Sequence, residues 1–226
     1  VTLTKDTGTG VVTISSSGGG GGGSSGTINA VQSFYSIDPS SNVVDPANNN
    51  IGVGYNALTN LTDPLTNGWN SAFGHSALST LSVGTRNTAV GQNALATSNG
   101  HFNTAVGQDA LSSRTSGSFN TAVGAMTSKF ATGTSRGTYV GNYAGHRNTG
   151  GYNSFIGSDS GYGTGSMSYS CVFGTYACYS GSPAPGHLCA FGSNSLKMNS
   201  SGHYLSAFGY NSGHNNTTGS YNTYLG

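Results

Sequence analysis

The chain contains no glutamate, and only 6% of its 226 residues are charged. Ordinary domains carry roughly 25%. With a net charge of +1, neither nucleic acid nor an anionic membrane is an expected partner. No apolar run reaches the length of a membrane-spanning helix, so no membrane insertion is expected. Six aspartates are scattered at Asp6, Asp38, Asp45, Asp63, Asp109 and Asp159. Glycosidic hydrolysis needs two carboxyl groups a few ångströms apart, and such a scatter does not suggest one. The histidines His75, His101, His146, His187, His203 and His214 show no metal-ligand spacing. Nucleophile-elbow and phosphate-loop patterns are also missing. No enzyme, cofactor or metal site is expected.

What the chain has in excess is glycine, 38 residues, and a repeat. Asn87-Thr88-Ala89-Val90-Gly91 returns as Asn103-Thr104-Ala105-Val106-Gly107 and Asn120-Thr121-Ala122-Val123-Gly124. The last glycine of the motif recurs at Gly54, Gly74, Gly91, Gly107, Gly124, Gly141, Gly157, Gly174, Gly192, Gly209 and Gly226, mostly 16–18 residues apart. A period that regular means one structural unit copied along an axis. A disordered polar chain would lack it.

One residue before the glycine, every copy is large and apolar; eight of these, Val90, Val106, Val123, Val140, Ile156, Phe173, Phe191 and Phe208, are expected to form the structural core. Three before it stand mostly Thr and Ser, with Cys171 and Cys189 in successive copies; two before it, alanine dominates. Alternation with period two is strand geometry. The bulky and hydroxyl columns share one face, alanine and glycine the other, where something must pack closely. Pairs such as Ala94-Leu95 and Ala110-Leu111, three and four residues after the glycine, read as a second short strand. Two short strands and two turns per repeat, stacked at about 4.8 Å, make a β-solenoid, and ten steps a rod of about 48 Å. One bulky residue per strand is a thin core. A single chain would leave apolar surface exposed, and three chains round a common axis would bury it.

Five residues before the glycine stand Trp69, Arg86, Phe102, Phe119, Arg136, Tyr152, Tyr169, His187, Tyr204 and Tyr221, all planar. In register they would form a stacked ladder. The alternative is an aromatic platform for sugar rings. The asparagine that follows at Asn70, Asn87, Asn103, Asn120, Asn153 and Asn222 suggests a hydrogen-bonded ladder. Cys171 and Cys189 are expected as free thiols, because parallel side chains would strain a disulfide. Loops diverge while the columns stay constant, and recognition belongs in loops. Tyr143, Tyr162, Tyr179 and Tyr210, together with Tyr152 and Tyr169, are the candidate ligand-binding residues. The stretch from Tyr176 to Leu188, with Pro183-Ala184-Pro185, is the most irregular connection.

Before the repeats, residues 1–14 read as an N-terminal strand segment, 15–26 as a Gly/Ser linker that includes Gly18–Gly23, and 27–50 as a lead-in to the repeat domain at 51–226. The chain opens at Val1 and stops within a motif, which reads as a segment of a longer protein.

The motif Asn87-Thr88-Ala89-Val90-Gly91-Gln92-Asn93-Ala94-Leu95, in eleven related copies over residues 50–226, resembles the head repeats of trimeric autotransporter adhesins. It is similar, too, to the repeats of bacteriophage tail fibres, whose version it looks most like. The resemblance implies an all-β fold, a left-handed parallel β-roll of about 11 coils closed as a homotrimer. Departures are the 16–18-residue spacing, longer than the adhesin repeat, the long first interval with Asp63-Pro64, and Leu188 and Leu205 in place of the asparagine. It also implies a virion tail fibre that binds a host cell-surface polysaccharide or protein and joins other virion tail proteins. A bacterial outer-surface adhesin head, or a passive shaft carrying a distal binding domain, is the alternative.

Overall fold

A computed structural model describes residues 2–5, 12–15, 44–45, 49–60, 68–113, 116–179 and 186–226, the first three spans as backbone alone. The chain divides into two compact units, Val1–Ala30 and Val31–Gly226. In the first, strands β1 (Thr2–Lys5) and β2 (Val12–Ser15) pair antiparallel, Leu3 opposite Ile14. Gly18–Gly23, most of the lead-in at 27–50, Asp63-Pro64 and Pro183–Pro185 lie outside the described residues.

The second unit is a β-solenoid of about nine turns. A short strand, β3 (Val44–Asp45), pairs antiparallel with β4 (Asn50–Val53). From β4 onward eleven strands run parallel in sequence order: β5 (Ser71–Phe73), β6 (Thr88–Val90), β7 (Thr104–Val106), β8 (Thr121–Val123), β9 (Thr138–Val140), β10 (Ser154–Ile156), β11 (Cys171–Phe173), β12 (Leu188–Phe191), β13 (Leu205–Phe208) and β14 (Thr223–Leu225). Register is column on column, as with Thr88↔Thr104, Ala89↔Ala105 and Val90↔Val106.

The core is not the bulky column. Val90, Val106, Val123 and Phe208 are 37–42% exposed, and Val140, Ile156, Phe173 and Phe191 are half-buried. Alanine faces inward instead: Ala72, Ala89, Ala105, Ala122, Ala190 and Ala207 are fully buried, opposite the equally buried Leu58, Leu78, Leu95, Leu111 and Leu196. The physical reason is width. The coil is narrow, and a leucine from the far wall fills it, so the strand can turn in only a small residue.

Where the strand turns in a large residue, the far wall loses its side chain. Tyr139 and Phe155 are fully buried. Four residues after their glycines stand Gly145 and Gly161, in place of leucine. A Cβ on Gly161 would lie 2.6 Å from the Phe155 ring, and one on Gly145 would strike Tyr139. In these two coils the volume the strand adds is offset by the volume the far wall gives up.

The second strand does not form. Residues after the glycine run as a turn, because the second and fourth adopt positive φ. Leu58, Leu78, Leu95, Leu111 and Leu196 sit at φ 47–54°, a left-handed conformation that costs an ordinary side chain about 1–2 kcal/mol. Hydrogen bonds between coils hold them there, for example Leu78 N–H to Ala94 O at 3.0 Å and Leu95 N–H to Ala110 O at 3.0 Å. Glycine at 145, 161 and 213 meets the same requirement without strain.

The motif glycine is held by its neighbour along the stack. It has φ of 122–139° from Gly54 to Gly209, a conformation that residues with a side chain rarely adopt. A Cβ on Gly91 would lie 2.6 Å from the carbonyl oxygen of Gly107.

The asparagine column forms a buried ladder. Asn70, Asn87 and Asn103 each accept, through Oδ1, the backbone N–H of the next asparagine at 2.9–3.1 Å. Asn87 Nδ2 donates to Gly100 O at 2.8 Å. Asn120 Oδ1 accepts from Gly137 N–H at 2.9 Å, and past Asn153 the role passes to Ser170, whose Oγ accepts from Leu188 N–H at 3.0 Å. An internal strand face holding polar side chains is tolerable only when they are bonded in this way.

Candidate functional site

Alternation along each strand sends the planar, hydroxyl and bulky columns to one outer face. The planar column begins each rung with a residue at φ 54–66°, which turns its side chain out along the stack. The result is an unbroken ladder. Arg86 lies 4.7 Å from the Trp69 ring and 5.1 Å from Phe102; Phe102 stacks on Phe119 at 4.9 Å and 7°. Arg136 bridges Phe119 and Tyr152 at 5.4 and 5.3 Å. Tyr152–Tyr169 (4.9 Å), Tyr169–His187 (5.4 Å), His187–Tyr204 (4.8 Å) and Tyr204–Tyr221 (5.0 Å) complete it, all within 10° of parallel.

Stacking on a sugar ring requires an open aromatic face. Tyr152 and Tyr169 have neighbours over both faces and offer only edges and hydroxyls, and the Tyr152 hydroxyl already accepts from Arg136 Nη1 at 2.9 Å. Beside this part of the ladder runs an open groove of about 650 Å³, between Tyr152, Tyr169, His187 and Tyr204 on one side and Ser154, Cys171, Cys189 and Ser206 on the other.

A second aromatic group lies on the turn after the glycine. His146 stacks on Tyr162 (5.1 Å, 11°), which stacks on Tyr179 (5.1 Å, 19°). Phe130 and Tyr143 meet the His146 ring edge-on at 5.0 Å, and Tyr176 meets Tyr179 edge-on at 5.4 Å. Lys197 lies over Tyr176 at 4.9 Å. The repeat carries these residues to one strip, because they occupy the second, fifth and sixth places after successive glycines. Of the sequence-derived candidates, Tyr143, Tyr162 and Tyr179 come together here, Tyr152 and Tyr169 belong to the ladder, and Tyr210 is exposed outside both groups. Sequence reasoning missed His146 and Phe130. Their place beside Tyr162 in the repeat was the available signal.

His146 anchors the strip. Its Nδ1 pairs with Met126 O at 2.9 Å. Burial pushes its pKa below the ordinary histidine value, the bond to Met126 opposes that, and Arg147 and Lys129 lower it further. Its imidazole is therefore a neutral ring in the stack at neutral pH. Burial also raises the tyrosine Tyr179, with Asp159 adding to the effect.

The carboxylates near this strip have structural partners. Asp109 pairs with Lys129 Nζ at 3.2 Å and accepts from Asn93 Nδ2 at 3.0 Å, and Asp159 accepts from Ser158 Oγ at 2.8 Å. Among the described residues no three His, Cys, Asp or Glu side chains converge on a point. Cys171, Cys178 and Cys189 are free thiols.

The chain matches no protein-family model, no curated protein and no solved structure.

Proposed function

We propose that the solenoid is a rigid segment of a host-attachment fibre, of the tail-fibre or surface-adhesin kind, that assembles as a homotrimer through its strand face. One observation carries this reading. The bulky column runs along the outer face, exposed at Phe73, Val90, Val106, Val123, Phe208 and Leu225 and half-buried at Val53, Val140, Ile156, Phe173 and Phe191, a strip of apolar surface that soluble monomers rarely leave bare. Neither the bulky nor the hydroxyl column contains a charged residue, so nothing on them repels a like copy. The row keeps one spacing for its whole length, and a second copy of this chain carries the same spacing. Cyclic closure points all copies the same way, as a fibre needs; the number three comes from the resemblance. A virion tail or a bacterial outer surface is the setting that follows.

Light scattering of the purified chain at micromolar concentration is expected to give three times its 22.7 kDa. The double substitution Val106→Lys and Val123→Lys, at sites already exposed in one chain, is expected to give monomers with an unchanged circular dichroism spectrum. A monomeric wild type, or a variant that still assembles, would overturn the trimer.

The second reading is direct contact with cell-surface glycans through loops. The strip of Tyr143, Tyr162, Tyr176 and Tyr179 favours it, because it lies off the strand face and Tyr176 is 40% exposed. Glycan-array binding that falls about tenfold with Tyr176→Ala, the loss of one aromatic contact of about 1.4 kcal/mol, is the expected outcome. Equal binding by the variant counts against contact there, and the shaft alone then stands.

A further inference from the structure

We propose that Cys171 and Cys189 form a two-coordinate thiolate site for one soft monovalent cation, of the class of Cu(I) and Ag(I). The two residues are register partners on the adjacent parallel strands β11 and β12. Residues on either side of them on the same face show how side chains leave these two rungs. Phe173 and Phe191 lie parallel at 4.8 Å and 6°, and Tyr169 and His187 at 5.4 Å and 4°. Cys171 and Cys189 stand between these pairs, on rungs whose side chains run side by side at about the strand spacing of 4.8 Å.

That spacing decides the chemistry. A disulfide needs its sulfurs about 2.05 Å apart, and the two thiols are free. Metal–thiolate bonds are about 2.3 Å long, so a straight S–M–S unit spans about 4.6 Å, close to one rise of the stack. The rungs therefore present two soft ligands at the separation a linear site requires, with no movement of the backbone. A single chain supplies no third convergent ligand among its described residues, which disfavours tetrahedral zinc and suits soft ions that bind thiolate strongly. Binding is a proton exchange without electron transfer: both S–H bonds break, two S–M bonds form, two protons leave to solvent, and affinity rises with pH.

Both thiols line the open groove with Tyr169, His187 and Tyr204, so an ion can reach them. Partial burial raises both thiols, and each Cys171 thiolate also feels Cys189. Cys178 is different. It points into the core, where complete burial pushes it up to about 12, and it serves as a small apolar residue.

The site is complete within one chain and does not rest on trimer formation. It does lie on the face proposed for assembly, so the ion is supplied in two ways. Reduced protein is titrated with Ag(I) under argon, and separately refolded in its presence; retained silver is measured after gel filtration. One ion per chain is expected. Cys171→Ser and Cys189→Ser are each expected to weaken binding on the order of a hundredfold, the effect of losing one thiolate ligand, and Cys178→Ala to leave it unchanged. Serine fills the same column at Ser154 and Ser206, so both serine variants should keep the wild-type circular dichroism spectrum. Silver held equally well by either serine variant, or no retention by either route beyond that of the double serine variant, would overturn the site.

Discussion

Tyr139→Ala and Gly145→Leu are each expected to destabilise the solenoid severely alone, and far less together. Tyr139 is among the largest fully buried side chains. Truncating a buried aromatic costs about 3–5 kcal/mol through lost burial and the cavity left behind. Gly145→Leu fails for the opposite reason: its first side-chain atom already meets the Tyr139 ring, and overpacking costs about 1–3 kcal/mol. In the double variant the leucine enters the space the tyrosine leaves, as Leu95 does opposite Ala89 one wall away. A third change completes the exchange. A Cβ on Gly137 would lie 2.5 Å from the Tyr139 hydroxyl, and Gly137 stands where other coils carry the ladder asparagine. Gly137→Asn added to the double variant should recover more of the loss. Urea unfolding of the full cycle measures this, with a coupling of about 2–3 kcal/mol expected. Additive losses would show that the two walls do not share one volume.

Gly91→Ala is expected to cost about 3 kcal/mol or more, because backbone strain of about 1–3 kcal/mol adds to a collision that cannot relax. Gly91 has φ +128°. The atoms its methyl group would meet are the carbonyl carbon and oxygen of Gly107, at 2.7 and 2.6 Å. Those atoms belong to the next rung, so yielding there disturbs the rung beyond it. Gly133→Ala is the control. Its φ is also positive, at +74°, but the nearest atom to a new Cβ is Ser116 Oγ at 3.8 Å. Only the conformational cost of about 1 kcal/mol should appear there. Equal losses at the two sites, read by urea or thermal unfolding, would contradict the role given to rung-to-rung contact.

The period and the register were legible because they depend on like residues meeting like, as Ala105 meets Ala89 and Ala122. The planar ladder was legible for the same reason. Which face turns inward was not. A valine beside an alanine suggests that the valine is buried, yet the far wall decides, and Leu95 leaves room only for the alanine. The paired changes at Tyr139 with Gly145 and Phe155 with Gly161 carried that information. The expected second strand failed on dihedral grounds. Asn93, Asp109 and Asn211 occupy positive φ, and Asn and Asp recurring two places after the glycine were the warning. For the candidate site, the column positions of Tyr143, Tyr162 and Tyr179 were enough to place them together. The covering of Tyr152 and Tyr169 by their neighbours needed the distances.

The bonds between rungs point along the stack, as in Ser71 N–H to Asn87 O and Thr88 N–H to Asn103 O. A lengthwise pull therefore loads the rungs in series, and the weakest yields before the others. Each yielding turn releases some 16–18 residues of slack while the rest of the stack keeps its shape. A tether built this way absorbs a sudden tug by paying out chain in steps, where a sheet loaded in shear would hold until it failed all at once.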